Sequence, residues 1–265
     1  MNFMVSLMSM MRFLLFILSI ISLNAFARQQ VPLPVNQWKS YELPSSIDSL
    51  IKYNHSKIWY LSKAKNNVLA TTVQTEAYKP PFPIIAPKPV FDHFYSERNV
   101  AKVDDGYLVG FYGGEWGGCL YWYSSDGKEN YKISGDMVEQ YVKRGNTLYA
   151  IEGVAHMGIS RGRIIRLTKV DGKWTANEFL KLSSAPAAIT HDDKNNFIVI
   201  THHSLLQINK DAEVTVLIDK GFWIEYLYPT RATIEMIKDS YYIGLRGGVL
   251  RFNRVTKSQE WLMPY

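Results

Sequence analysis

Apolar side chains in this sequence fall in short runs, each announced by a turn signal. Gly106–Ile133 (GYLVGFYGGEWGGCLYWYSSDGKENYKI) holds the whole pattern in one piece: turn, apolar strand, loop, strand, turn, strand. The runs are too short for buried helices and are rich in aromatic and β-branched residues, which predicts strands. Ser45–Lys52 is the one helix candidate, and it is short.

Aligning the turn signals exposes a repeat. KNN-VLATTV begins at Val68, DDG-YLVGFY at Tyr107, RGN-TLYAIE at Thr147, KNN-FIVITH at Phe197 and KDS-YYIGLR at Tyr241, so successive starts lie 39, 40, 50 and 44 residues apart. After four of these runs a loop leads into another, from Gly117, Gly162, His203 and Gly247. A fourth strand then follows at Asn130–Ile133, Trp174–Leu180, Glu213–Ile218 and Glu260–Met263. First strands fall at Phe94–Val103, Asp136–Lys143, Ala187–Asp192 and Thr233–Lys238, and the loop Gly153–Arg161 accounts for the longest spacing. A four-strand unit with a period near 40–45 residues is that of a propeller blade.

The expected fold class is therefore all-β: a β-propeller of five or six four-stranded blades, occupying residues 49–265 as one domain. Residues 28–48 read as an extended lead-in, from which Trp38–Leu43 offers a strand to the last blade. The first unit, Ser49–Tyr78, is irregular. The prolines of Lys79–Pro89 forbid a central strand, and that stretch reads as a long loop on the blade surface.

These turn-strand-loop-strand units, of which APAAITHDDKNNFIVITHHSLLQINKDAEVTVLI from Ala185 is an example, resemble propellers of the NHL-repeat and gluconolactonase-like kind over roughly Ser49–Pro264. The likeness is one of repeat style. It implies blades around a central channel and, in the gluconolactonase-like branch, a metal held by acidic and amide side chains at that channel. Here the loops offer Glu115, Glu152 and Glu225 but no Asn or Asp.

Ahead of the repeat, Met1–Ala27 carries Arg12 as its only charge, an apolar stretch Phe13–Leu23 and an A-x-A pattern at Ala25 and Ala27, the marks of a cleaved signal peptide. The apolar stretch is shorter than the ~20 residues a membrane-spanning helix needs, so no stable insertion is expected after cleavage. The expected location is the periplasm or the medium. Cys119 is the only cysteine, which excludes an intramolecular disulfide, and its apolar neighbours make it a buried small hydrophobe. With Arg12 removed, the formal charge of +6 becomes +5, spread along the chain without a basic run. That is ordinary surface charge, and no nucleic-acid partner is expected.

In a propeller, the loops joining second to third strands share one face beside the channel with the connections between blades. That gathers GGEWGG (Gly113–Gly118), GVAHMGISR (Gly153–Arg161), THH (Thr201–His203), RGG (Arg246–Gly248), Ser183–Pro186 and GFWIEYLYPT (Gly221–Thr230). Their side chains Glu115, Trp116, His156, Arg161, His202, His203, Trp223, Glu225, Tyr228 and Arg246 form the candidate ligand-binding set. Aromatic faces there supply contact area, and arginine and histidine orient charge. Each residue also has a plainer role: the glycines as turn formers, Trp116 as a cap on the core, and His202 and His203 as neighbours that point apart. A metal held by Glu115, His156 and one of His202 or His203 is the alternative arrangement. HDDKNN (His191–Asn196) reads as turn chemistry.

No G-x-S-x-G elbow and no H-E-x-x-H motif is present. The expected function is an exported, monomeric, non-catalytic binding protein that needs no cofactor and holds a protein or polar small ligand on the loop face. An immunity or inhibitor protein masking a toxin delivered to the periplasm is one form of this. A metal-dependent hydrolase of the lactonase type is the alternative, and an envelope scaffold with an apolar blade edge is a third.

Overall fold

The computed structural model describes residues 32–54, 57–74, 78–85, 97–229 and 232–264. The proposed signal peptide Met1–Ala27 lies outside them, as do Phe94–Ser96 and Thr230. Leu33–Tyr265 is one compact unit. It is all-β, built as five small antiparallel sheets. Among the described residues no helix is long and apolar enough to cross a membrane.

Three sheets are four-stranded meanders in chain order. The first holds β5 (Glu97–Val103), β6 (Gly106–Tyr112), β7 (Gly118–Ser124) and β8 (Asn130–Ser134). The second holds β9 (Val138–Arg144), β10 (Thr147–His156), β11 (Ile159–Val170) and β12 (Lys173–Leu182). The third holds β13 (Pro186–His191), β14 (Phe197–Thr201), β15 (Leu205–Ile208) and β16 (Val214–Ile218). A fourth runs β17 (Ile234–Ile237), β18 (Ser240–Gly244), β19 (Val249–Asn253) and β20 (Gln259–Met263), and takes β2 (Lys39–Tyr41) on its outer edge. The strands read for the four regular units are present in these four sheets, as far as the described residues reach, and the lead-in does pair with the last one, Lys39 opposite Met263.

The irregular first unit has a structural answer. β3 (Tyr60–Ala64) and β4 (Asn67–Thr71) form a hairpin, and the third strand of that sheet is β1 (Leu33–Pro34), supplied from the lead-in. The short helix α1 (Ile47–Tyr53) bridges the two lead-in strands and this hairpin. It starts on a capping box in which Ser46 and Ser49 satisfy each other's backbone N–H groups. The stretch Tyr78–Ile85 lies on the sheet of β6 and β7: Phe82 packs against the rings of Tyr107 and Tyr123, and the Tyr123 hydroxyl donates to the Ile85 carbonyl at 3.1 Å.

Strands such as FIVIT and TLYAIEGV are apolar throughout because both their faces are covered. In β14, Phe197 and Val199 face Tyr149 and Ile151 of one neighbouring sheet, while Ile198 and Ile200 face the Ile234, Ile243 and Leu250 cluster of the other. In β10, Leu148 and Ala150 pack on Leu108 and Leu120. Val249 and Leu262 pack on Trp59, Leu61 and Ala70 of the first sheet. Polar ties follow the same succession. Arg144 lays its guanidinium 4.0 Å from the Phe197 ring centroid, a cation–π contact of about 0.5–2 kcal/mol. Arg254 grips Asp193 through two bonds of 2.6 and 3.0 Å, and Leu61 N–H donates to Thr233 Oγ1 at 2.6 Å.

Close packing between sheets is where the glycines matter. A Cβ on Gly110 would stand 2.6 Å from Cβ of Val138, so β9 approaches β6 only because that position is empty. Gly153 and Gly162, opposite each other on β10 and β11, leave the same room for Pro186.

Candidate functional site

The strand-end loops do come together, through named contacts. Gly114–Trp116 forms a 3₁₀ turn between β6 and β7, with Gly114 and Gly117 at positive φ, and it presents Glu115. The Glu115 carboxylate meets His156 Nε2 at 2.8 Å. The next step runs through a crevice of about 170 Å³ lined by His156, Ser160, His202 and His203. Beyond it His202 lies 6.5 Å from Tyr228, whose ring carries the Arg246 guanidinium 5.5 Å from its centroid. Six of the ten candidate residues thus form one connected string: Glu115, His156, His202, His203, Tyr228 and Arg246.

Of the other four, Trp223, Arg161 and Glu225 stand apart from it. Trp223 is fully buried, and its indole N–H donates to the Thr201 carbonyl at 3.1 Å, so it braces the β14–β15 turn and presents nothing to a ligand. Arg161 and Glu225 are exposed and line neither compartment of the crevice. Trp116 is half exposed on its turn.

Two local readings change. Gly153–Arg161 is no loop: β10 and β11 continue as a hairpin to the two-residue turn Met157–Gly158, both residues at positive φ, with His156 opposite Ile159. That pattern is a type I′ connection, whose twist suits paired strands, and Met is an unusual first residue for it. His202 and His203 do not diverge either. Their rings lie 5.0 Å apart and both line the crevice, because Thr201 Oγ1 accepts the N–H groups of His203 and Ser204 and curls the turn tightly. Cys119 is buried, and HDDKNN is a turn in which Asp192 accepts the N–H groups of Lys194 and Asn196.

A second compartment, of about 160 Å³, joins the first through Ala155 and His202. Its walls are Tyr112, Glu139, Pro186, Ala187, Tyr228 and Pro229. Glu139 and Ala187 share an origin: each is the extra residue of a β-bulge. In β9 the register passes from Gln140 opposite Ile151 to Val138 opposite Glu152, skipping Glu139; in β13 it passes from Ala188 to Pro186, skipping Ala187. A bulge turns its extra side chain out of the alternation, and both bulges deliver theirs to this compartment. Glu139 is held on either side: Asn99 Nδ2 donates to the Val138 carbonyl at 2.8 Å, and Gln140 Oε1 accepts the Ile189 N–H at 2.9 Å. Alternation arguments cannot find a bulge, which is why neither residue was read from the sequence.

Burial pushes the Glu139 carboxyl up to about 7, against the opposing pull of a hydrogen bond from the Tyr112 hydroxyl. Burial and then the Glu139 charge raise Tyr112 in turn, so it stays a protonated donor. Burial and the proximity of His203 lower His202, which is therefore neutral near pH 7, and its Nδ1 is buried without a hydrogen-bond partner. Beside the compartment, Arg163 binds Asp136 at 2.6 Å, Glu152 at 2.9 Å and Glu178 at 3.3 Å, which fixes the start of β9 against β10 and β11.

Among the described residues no three His, Cys, Asp or Glu side chains gather as a metal site; Glu115 and His156 meet without a third ligand. No protein-family model matches the sequence, and no curated protein matches it either.

Proposed function

We propose that the five sheets are the blades of a five-bladed propeller in the style of the NHL-repeat proteins, exported and left free of its signal peptide, and that it is a non-catalytic binding protein for a small polar ligand. Supporting the ring are four successive sheet-to-sheet contacts, from the β5–β8 sheet round to the β1–β4–β3 sheet, and the two lead-in strands, which pair with both that sheet and the β17–β20 sheet. Such closure protects sheet edges and couples the termini.

The single observation that carries the binding reading is the two-part crevice joined at Ala155 and His202, into which two bulges direct Glu139 and Ala187. A concave site with a few convergent polar groups and a displaced carboxyl pKa is where a ligand is expected. The test is a thermal-shift screen of small polar compounds on the purified protein, repeated on Ala155→Trp. Ala155 is exposed and lines both compartments, so the indole plugs the crevice without disturbing the core. Compounds that stabilise the protein and lose their effect in Ala155→Trp support the reading. Hits indifferent to the plug, or no hits, overturn it.

A protein partner on the same face, as in an immunity or inhibitor protein, is favoured by one observation. The β10–β11 hairpin tip leaves Met157 88% and Ile159 61% exposed. On that reading Met157→Ser with Ile159→Ser abolishes complex formation and leaves small-ligand binding in the Tyr112–Glu139 compartment, which neither residue lines, intact.

A further inference from the structure

The crevice contains a part-buried acid to which no described residue supplies a countercharge. The buried acids among the described residues, and the part-buried Glu235, are answered. Asp136 and Glu152 share Arg163. Asp192 accepts two backbone N–H groups and the amides of Asn196 and Gln207. Glu235 accepts the Lys63 N–H and lies near its ammonium. Glu139 has the Tyr112 hydroxyl, and among the described residues no lysine or arginine pairs with it. A buried carboxylate without a cation is costly and stays protonated until a positive charge arrives. Here the fold does not merely tolerate that acid. It spends a bulge to aim it into the compartment and anchors both of the bulge's flanks, at Val138 and Gln140.

The remaining walls suit the same occupant. Tyr112 and Tyr228 give aromatic surface, and aromatic faces attract cations. His202 is a neutral imidazole with an unpartnered Nδ1, a group available to hydrogen-bond the ligand. Arg246, the nearby cation, is engaged on the Tyr228 ring.

We propose that the compartment binds the ammonium group of a small protonated amine, set against the Glu139 carboxylate and flanked by Tyr112, Tyr228 and His202. This rests on the binding reading above and names its ligand class. A space of about 160 Å³ holds roughly six to ten non-hydrogen atoms, since an engineered cavity near 150 Å³ takes up benzene.

The experiment is isothermal titration at about pH 8 with matched triplets: butylamine, butanol and butyrate; benzylamine, benzyl alcohol and benzoate. An amine binds and its neutral and anionic partners do not. Glu139→Gln, which keeps shape and removes the charge, weakens amine binding on the order of a hundredfold, the usual loss when one half of a buried charge pair is removed. Tyr228→Leu weakens it about threefold to tenfold, as loss of a cation–π contact does. Equal binding across a triplet, or an amine affinity unchanged in Glu139→Gln, overturns the inference. If only neutral or anionic compounds bind and Ala155→Trp still abolishes that binding, the amine inference fails while the binding reading stands. If no compound binds, both fail.

Discussion

Glu152 and Arg163 stand directly opposite each other on β10 and β11, Oε1 2.9 Å from Nε, and the same guanidinium reaches Asp136 at 2.6 Å. Asp136 is 3% exposed and Glu152 7%. Burial, then the Asp136 charge, still raise the Glu152 carboxyl above its ordinary range against the pull of Arg163. Arg163→Met leaves two buried carboxylates without their cation. Removing one partner of a buried pair typically costs about 3–5 kcal/mol; because the Arg163 side chain is itself 38% exposed, we expect roughly 2–3 kcal/mol. Glu152, already raised by burial, loses the opposing pull of Arg163, so its folded carboxyl lies further above its unfolded range and the variant regains stability as pH falls. Urea unfolding at about pH 7 and about pH 5 reads both effects. An Arg163→Met protein as stable as wild type at neutral pH would show that solvent screens the acids and that the triad is ornamental.

Glu139 makes a separate pH signature. Its folded carboxyl sits at about 7 against an ordinary 4.5, displaced by burial. A raised folded pKa means stability that is full below the unfolded value and is lost as pH climbs through the folded one. Between about pH 5 and pH 8 this single group therefore removes on the order of 2 kcal/mol of stability from the wild type. Glu139→Gln lacks the titration, so its stability difference from wild type widens in its favour over that interval. His202 titrates in the opposite sense, and comparing the two proteins at each pH cancels it. Parallel stability curves for wild type and variant would be incompatible with a buried carboxyl at this position.

Gly110 tests how the sheets approach one another. Its added Cβ would lie 2.6 Å from Val138 Cβ, with the two methyls farther away at 3.3 and 3.4 Å. Gly110→Ala is expected to destabilise by about 1–3 kcal/mol, the range for overpacking a tight contact. Val138→Ala in the same chain should not rescue it, because the offending atom remains. Rescue by Val138→Ala, seen in thermal unfolding, would mean that the methyls and not the strand spacing set the contact.

What the sequence made legible follows from how each feature is encoded. Turn signals and short apolar runs are local, so β5–β20 stand where the repeat put them except that β10 and β11 run on through the expected loop Gly153–Arg161, and Trp38–Leu43 reaches β20 as expected. The third strand of the first sheet was not legible. Leu33–Pro34 is two residues long, carries no pattern, and pairs with β4 from more than thirty positions away. Within the site, Glu115, His156, His202 and Tyr228 were found because turn tips advertise themselves in Gly and polar residues. Glu139 and Tyr112 sit inside strands, and a bulge decides where Glu139 points. A bulge is a property of the pairing and is invisible along a single strand. Trp223 shows the converse error: a Trp in a loop sequence looked available, but its ring fills the space over the β14–β15 turn.

The hairpin tip sets local stability against use. Met157 holds φ 45° and Gly158 φ 82° in a two-residue turn. A left-handed conformation costs an ordinary side chain about 1–2 kcal/mol, a penalty Asn largely escapes through local hydrogen bonding. Asn-Gly is also the preferred pair for this turn. Met157 is almost wholly exposed, so it contributes little packing in return. Met157→Asn is therefore expected to stabilise the protein by about 0.5–1 kcal/mol, read as a rise in the urea midpoint with an unchanged slope. A methionine kept where asparagine would serve the fold better points to a contact made outside the fold. If the loop face meets a protein partner, the more stable variant binds that partner more weakly while small-ligand affinity in the Tyr112–Glu139 compartment, which Met157 does not line, is unchanged. A Met157→Asn protein that is no more stable than wild type would mean that the side chain does pack at the tip, and the argument for an external contact would lose its footing.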